Sequence, residues 1–95
     1  MAVTVGLLQL RLHVAQANSL KDKRRAVKSF KDRVRGAHNV SVAEVDCQDH
    51  HRWAVLAVAA VGSDRRYLEG VLTRIAQAAA QHRDMLLIEQ QTMWL

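Results

Sequence analysis

The segment that decides the fold is Arg-Trp-Ala-Val-Leu-Ala-Val-Ala-Ala-Val, at residues 52–61. It is apolar at nearly every position, without the alternation of a strand that has one face in water. A short apolar run of this kind is typical of a strand in the centre of a sheet. A membrane-spanning helix needs ~20 apolar residues, so the run predicts no membrane span. We therefore expect a central strand here.

The segments on either side of this strand extend the pattern. Residues 39–45 predict a preceding strand, joined to it by the hydrophilic turn Asp-Cys-Gln-Asp-His-His at residues 46–51. After Gly62, either Ser63 or Asp64 is a suitable N-cap for a helix. One face of that helix is apolar at helical spacing, and it consists of Leu68, Val71, Leu72, Ile75 and Ala79. Residues 84–95 then predict a last strand.

The N-terminal half predicts a strand followed by a helix. In residues 3–14, the apolar Leu8, Leu10, Leu12 and Val14 alternate with polar residues, as in a half-buried strand. Before Leu8 the phase changes around Gly6, which predicts either a bulge at Gly6 or burial on both faces.

The first helix has signals at both ends. Ser19 is a suitable N-cap, and Asp22 gives a shorter-armed capping box. The helix is expected to run to about Arg35, with Gly36 as its C-terminal stop. Its core stripe lies within an arc of about 80°, and it is formed by Leu20, Val27, Phe30 and Val34.

The predicted order is thus β-α-β-β-α-β over one domain, residues 1–95. Two right-handed split crossovers from this order give a ferredoxin-like α+β sandwich. We expect a four-stranded antiparallel sheet in the order 4-1-3-2, with both helices on one face.

Composition excludes several classes of protein. The chain has 95 residues, of which 49% are apolar, so it is not intrinsically disordered. The single cysteine excludes a disulfide framework and favours a reduced, cytoplasmic location. The first residues carry no basic segment, so no secretory signal is expected. Among only four glycines there is no phosphate-binding loop.

The positive charge is concentrated on the first helix. The whole chain has a formal charge of +5, but residues 21–35 contain eight cations and two acids, while the remainder carries six cations and seven acids. Most of these cations fall within an arc of about 120°, which only Asp32 interrupts. The predicted anion-binding residues are Lys21, Lys23, Arg24, Arg25, Lys28, Lys31 and Arg35.

A basic helix face binds polyanions or simply keeps a domain soluble. Lys21, Lys23, Arg24 and Arg25 lie in the first two turns, where cations oppose the helix dipole by roughly 0.3–1 kcal/mol each. Basic side chains at a helix N-terminus, together with free amides, form an anion site. This placement favours binding of phosphates, although a solvated face remains the alternative.

The other reactive residues give no comparable pattern. Cys47, His50 and His51 lie in a turn where adjacent side chains diverge, and no second Cys/His pair completes a zinc site. The predicted topology brings this turn close to the basic start of the first helix, as a charge match or a pH-sensitive anion site. We predict no catalytic residue, cofactor, metal or small-molecule substrate.

The open face of the sheet is expected to present Gln9, Arg11 and His13. RNA-recognition modules of this topology stack bases on aromatic residues of that face. The first strand has no aromatic residue, so we expect RNA contacts to run through the helix instead. The same face is also suited to self-association, as is the apolar chain end at residues 93–95.

Four segments together resemble the YlxP-like family, also called DUF503, over nearly the whole chain. They are Ser-Leu-Lys-Asp-Lys-Arg at residues 19–24, Asn-Val-Ser-Val-Ala-Glu-Val at 39–45, Gln-Asp at 48–49 and Ala-Val-Leu-Ala-Val-Ala at 54–59. The first is the most specific. The resemblance implies a bacterial protein with a ferredoxin-like fold and no established activity. Genes of the family often lie among those for translation initiation and ribosome maturation, which implies a link to RNA or ribosomes.

The sequence departs from the family at the turn. Where relatives have a bulky aromatic residue followed by Gln-Arg, this chain has His51, Arg52 and Trp53. Two hypotheses follow from the residues and the resemblance together. The first is a cytoplasmic RNA- or ribosome-associated binding protein that uses the basic helix. The second is a protein-interaction or homodimerisation module with no nucleic-acid role.

Overall fold

A computed structural model describes residues 2–95 as six elements in the predicted order. Their boundaries lie within one or two residues of the predicted ones. The elements are β1 (Thr4–His13), α1 (Leu20–Ala37), β2 (Ser41–Asp46), β3 (Trp53–Gly62), α2 (Arg65–Gln81) and β4 (Leu86–Trp94). Within residues 2–95, neither helix is long and apolar enough to cross a membrane.

The four strands form one antiparallel sheet in the order β2-β3-β1-β4. This confirms the predicted ferredoxin-like topology. The apolar strand β3 and its partner β1 are central, and the shorter β2 and the exposed β4 form the edges. Strand β3 pairs with strands on both edges, but only its helix-facing residues, such as Leu56 and Val58, are completely buried, and Val61 on the other face is 62% exposed.

The core lies between the sheet and the two helices. Alternate residues of β1, among them Leu8, Leu10 and Leu12, are almost completely buried against the helices. Phe30 from α1 and Ile75 from α2 are also fully buried. Each such side chain stabilises the fold by ~1.5–3 kcal/mol relative to an exposed position. Because each helix packs one face against the sheet, its opposite face is exposed to solvent.

Gly6 is required by close packing, and the predicted bulge at Gly6 is wrong. The pairing of β1 with β3 runs without interruption through Gly6, and the register shift against β4 lies instead between Arg11 and Leu12. A Cβ atom at Gly6 would lie 2.7 Å from Cζ3 of Trp94 and 2.9 Å from Cδ1 of Leu72. The flanking apolar residues of β1 are half-buried on the open face, which is the second of the two predicted explanations.

The predicted helix starts are confirmed. The Ser19 hydroxyl accepts a hydrogen bond from the Asp22 amide at 3.1 Å. The Asp22 carboxylate in turn accepts one from the Asn18 amide at 3.0 Å. For α2, the N-cap is Asp64 rather than Ser63, since its carboxylate accepts from the amides of the first turn.

The predicted stop at Gly36 is wrong. Helix α1 continues through Ala37, and its C-cap is His38, whose amide donates to the carbonyl of Val34 at 2.9 Å. Gly36 keeps a negative φ, so its freedom to adopt a left-handed conformation is not used. The helix ends because His38 adopts an extended backbone.

Candidate anion-binding surface of helix α1

Six cations of α1 form a continuous outer surface, which we call the basic stripe. All are exposed except the half-buried Lys31. The stripe spans roughly 21 Å at 1.5 Å per residue. It consists of Lys21, Arg24, Arg25, Lys28, Lys31 and Arg35.

Two cations of the stripe have partners within the chain. Lys28 Nζ lies 2.6 Å from Asp32 Oδ2, one turn further along the helix. Arg35 Nη2 donates to the backbone carbonyl of Val42 at 2.7 Å. Within residues 2–95, the other four cations of the stripe make no ion pair or side-chain hydrogen bond, so their donors are available to an external anion. These four are Lys21, Arg24, Arg25 and Lys31.

The pKa of Asp32 is lowered by the positive charges of the stripe. The hydrogen bond from Lys28 lowers the pKa of the Asp32 carboxyl, and the nearby charges of Lys28, Arg35 and Lys31 act in the same direction. Asp32 is therefore ionised at neutral pH, and it is the one acid within the basic arc. Its charge offsets part of the stripe.

The contact of Arg35 with Val42 locates the stripe in the fold. Val42 belongs to the edge strand β2, against which α1 packs. Because Arg35 covers a carbonyl of that edge, the stripe runs beside β2, away from the centre of the sheet.

The N-terminus of α1 is already partly occupied. Ser19 caps it, and the Asp22 carboxylate lies in the first turn, at the positive end of the helix dipole. An external anion at this end would meet the negative charge of Asp22. Anion contacts of α1 are therefore expected from side chains of the stripe rather than from the helix terminus.

Lys23 does not belong to the exposed surface, so its assignment as an exposed anion-binding residue is wrong. Its side chain is 0% exposed, and Nζ lies 2.8 Å from Glu44 Oε2. The same ammonium donates to three backbone carbonyls, those of Cys47 at 2.8 Å, Gln48 at 3.2 Å and Trp53 at 3.1 Å. With four acceptors for three N–H groups, Nζ has no free donor for a phosphate. We call these five residues the Lys23 cluster.

The sequence contained a signal for the burial of Lys23. Val27, Phe30 and Val34 follow it by four, seven and eleven residues, the spacing of one helix face. Lys23 therefore lies within the apolar stripe of α1. Net charge alone did not reveal this, because it counts a buried lysine like an exposed one.

The turn between β2 and β3 does meet the start of α1, but through backbone carbonyls and Lys23. The charged side chains of the turn make local contacts instead: Asp46 accepts from the Cys47 amide, and His50 accepts from the Arg52 amide. Within residues 2–95, no ion pair or hydrogen bond joins Asp46, Asp49, His50 or His51 to the stripe. No contact therefore supports the predicted pH-sensitive anion site.

Cys47 lies at the centre of this turn with a φ of 60°. This left-handed conformation is uncommon for a residue with a Cβ atom. Its carbonyl is one of the acceptors of Lys23, so the bond to Nζ helps to hold the turn in place. Among residues 2–95, no group of three or more His, Cys, Asp or Glu side chains is placed to hold a metal ion.

The open face of the sheet carries an aromatic residue that the predicted mechanism did not include. Trp53 lies opposite His13 in the register of β1 and β3, and their ring centroids are 4.5 Å apart. The guanidinium carbon of Arg11 lies 4.8 Å from the centroid of the Trp53 ring. Since Trp53 already contacts both neighbours, it is not a free platform for a nucleobase.

A groove of about 780 Å³ opens at the same end of the molecule as the start of α1. Its floor includes buried apolar residues such as Val14 and Met85. Its rim carries Arg25 and Arg83 together with Asp22 and Asp84. Because both signs of charge are present in equal number, the groove gives no preference for an anion.

Comparison with known proteins places most of the chain in one sequence family. The family profile described as "Protein of unknown function (DUF503)" matches residues 5–92. The chain is 34% identical over 71 residues to "Uncharacterized protein YlxP" of Bacillus subtilis (strain 168), covering 75% of this chain and 77% of that protein.

Two solved structures share the fold at low sequence identity. A de novo designed protein, Foldit4, matches with a TM-score of 0.57 and 17% identity over 98% of this chain and 96% of its own. A C-terminal segment of the alpha subunit of aIF2 from Pyrococcus abyssi matches with a TM-score of 0.53 and 17% identity, over 100% of this chain and 51% of its own. At such identities the likeness shows the fold alone.

Proposed function

Because the chain belongs to the DUF503 family, whose function is unknown, we propose a function from its surface. It is a small cytoplasmic RNA- or ribosome-associated binding protein that contacts phosphates through the basic stripe of α1, and it is not an enzyme. The observation that carries this proposal is the set of four unpaired cations on one face of a helix. The rest of the chain, outside residues 21–35, is close to neutral.

The dimensions of the stripe suit a nucleic acid strand. Phosphates lie ~3.4 Å apart along the axis of each duplex strand, so a stripe of roughly 21 Å spans about six of them. Flexible lysine and arginine side chains adapt to such a series. Contacts of this kind supply affinity and orientation but carry no sequence information. We therefore expect binding with little sequence preference through this surface.

One comparison agrees with this proposal at the level of the fold. The fold shared with the aIF2 alpha segment agrees with a role related to translation, but its identity of 17% transfers no function. An acidic protein would also satisfy the stripe, since carboxylates accept the same hydrogen bonds. The second candidate, an interaction module with no nucleic-acid role, is favoured by the exposed apolar residues of the sheet.

The direct test is charge reversal on the stripe. We expect the triple variant Arg24→Glu, Arg25→Glu, Lys28→Glu to lose RNA binding at low salt and to stay folded, because all three side chains are exposed. Binding is measured by fluorescence anisotropy with a short single-stranded RNA over a range of salt concentrations. Losing three phosphate contacts reduces the slope of log K against log salt by about 2–3.

The matched control is Arg66→Glu, Arg74→Glu, Arg83→Glu. These arginines are also exposed, and the variant has the same net charge as the first one. It is expected to retain most of the affinity and the salt slope. Equal loss in both variants would mean that net charge, not the stripe, drives binding. Unchanged binding in the first variant would contradict the proposal.

A further inference from the structure

The side of the sheet opposite the helices, the open face, carries a continuous group of apolar residues at one end. In the register, Val5 pairs with Val61, and Leu7 pairs with both Ala59 and Met93. Paired residues of antiparallel strands point to the same side of a sheet, so these five side chains form one surface. We call it the apolar patch, and Val3 and Leu95 continue it at the chain ends.

The patch is exposed although most of it lies on the two central strands, with Met93 on the edge strand β4. Val61 is 62% exposed and Met93 is 40% exposed, because both helices lie on the other side of the sheet. Strand β3 is thus apolar on both faces, while only one of them is covered. Contiguous apolar surface of this kind marks an interaction site in a folded protein.

The charge of the open face argues against a nucleic acid as its partner. Beyond the patch, the formal charges on this face are Arg11, Glu89 and Asp46, which sum to −1 on a chain of +5. Phosphates would meet no net positive charge here. An apolar, nearly neutral surface fits another protein surface of the same character.

The size of the open face fits a second copy of the chain. Four strands ~4.8 Å apart and about 30 Å long give a flat area of about 570 Å² per copy. Two copies in contact bury about 1,100 Å² before pleating is counted, close to the ~1,200 Å² at which stable specific interfaces begin. A two-fold axis brings the same patch of both copies together without requiring any other partner.

We propose that the protein forms a homodimer through its open face, sheet against sheet, with the apolar patch at the interface. This arrangement places both basic stripes on the outer sides. With about 10 Å between the sheets and about 10 Å from each sheet to its helix layer, the stripes lie roughly 30 Å apart. That is about three Debye lengths at 0.1 M salt, so repulsion between the two stripes is small.

The edge strand β4 offers another symmetric contact. Its outer N–H and C=O groups have no strand partner, and such an edge can pair with that of a second copy. The two arrangements differ in which residues they bury. Val61 lies on β3, two strands away from the β4 edge, so only the open-face dimer covers it.

The test compares Val61→Glu with Tyr67→Glu by sedimentation equilibrium. Tyr67 is 64% exposed on α2, so both variants add one charge at an exposed apolar position. We expect the wild type and Tyr67→Glu to have twice the mass of one chain at micromolar concentrations. Val61→Glu is expected to raise the dimer Kd at least about 100-fold, because each copy buries an unpaired carboxylate. Circular dichroism verifies that each variant is folded.

Three results would overturn the proposal. The first is a monomeric wild type at the highest soluble concentration. The second is a dimer that survives Val61→Glu, and loss of that dimer in Thr92→Pro would then assign it to the β4 edge. The third is equal loss in Tyr67→Glu. RNA binding by the stripe does not enter this test, so the proposed function and the dimer succeed or fail separately.

Discussion

Lys23 and Lys28 lie five residues apart on the same helix and have opposite environments. The Lys23 side chain is completely buried in its cluster, whereas that of Lys28 is 74% exposed in the basic stripe. Five residues turn a helix by about 140° from one face to the other. The comparison teaches that residue type and local charge density do not define a functional surface. The direction of each side chain relative to the core decides its role.

The buried lysine is tolerated because the fold supplies acceptors for its ammonium group. A buried charge loses its hydration, and only close partners and hydrogen bonds compensate for this loss. Glu44 supplies the opposite charge, and the carbonyls of the turn supply the remaining acceptors. Lys23 therefore links α1 to the β2–β3 hairpin, whereas the Lys28 side chain is exposed to solvent and accessible to an external anion.

The largest expected effect comes from removing the buried ammonium. Lys23→Met is expected to lower the free energy of unfolding by about 3 kcal/mol, because Glu44 and the carbonyls lose their shared donor. Lys28→Met, the control on the exposed face, is expected to change it by less than ~0.5 kcal/mol. Urea unfolding followed by circular dichroism measures both changes.

Lys23→Met and Lys28→Met are also expected to differ in their RNA binding. Under native conditions Lys23→Met is expected to keep the affinity and salt slope of the wild type, because Nζ does not reach the surface. Lys28→Met is expected to reduce the salt slope by ~0.7–0.9, the contribution of one phosphate contact. A folded Lys23→Met protein with weakened RNA binding would contradict the division between the two faces.

A smaller effect is expected from the carboxylate of the Lys23 cluster. Glu44→Gln removes the opposite charge but keeps an acceptor of similar shape, and the three carbonyls remain bound to Nζ. We expect a loss of about 1 kcal/mol of unfolding free energy, measured in the same urea titration. A loss as large as that of Lys23→Met would show that the ion pair, rather than the carbonyls, compensates the buried charge.

The fold could be predicted from the sequence because its signals are periodic. The apolar run of β3, the alternation in β1 and the helical spacing in α2 each specify one element and its buried face. The predicted helix end at Gly36 was wrong because a glycine ends a helix when it adopts a left-handed conformation, and Gly36 keeps a negative φ. At Gly6 the sequence left two explanations open, since the close approach of Trp94 depends on a pairing across 88 residues of chain.

The site could be predicted only in part. The basic arc of α1 follows from its spacing, and the structure places the stripe on the outer face of the helix. The burial of Lys23 was also readable from its spacing to Val27 and Phe30, but its acceptors were not. They are backbone carbonyls of a turn whose conformation, with Cys47 left-handed, is set by tertiary contacts. Sequence spacing does not specify such contacts.

The smallest effect we expect is a gain in RNA binding from Asp32→Asn. This variant removes the acid that competes with phosphate for Lys28, so the Lys28 ammonium no longer has to leave an exposed ion pair to bind RNA, and the stripe gains one unit of positive charge. We expect the RNA affinity at low salt to rise by about 1.5- to 5-fold, while the salt slope stays nearly unchanged because Lys28 contacts one phosphate in both proteins. Because the bond from Lys28 lowers the pKa of Asp32, mild acidification does not protonate this carboxyl, and substitution is the direct way to remove its charge.

The matched control for this variant is Glu69→Gln on α2. Glu69 pairs with Arg65 at the same i,i+4 spacing, and its side chain is 52% exposed, against 54% for Asp32. Both substitutions raise the net charge by one. If the stripe is the contact surface, only Asp32→Asn strengthens binding, because the freed Lys28 lies among the other cations of α1. Equal gains in both variants would instead mean that RNA responds to the charge of the whole molecule, and the difference between the two faces of α1 would then have no bearing on binding.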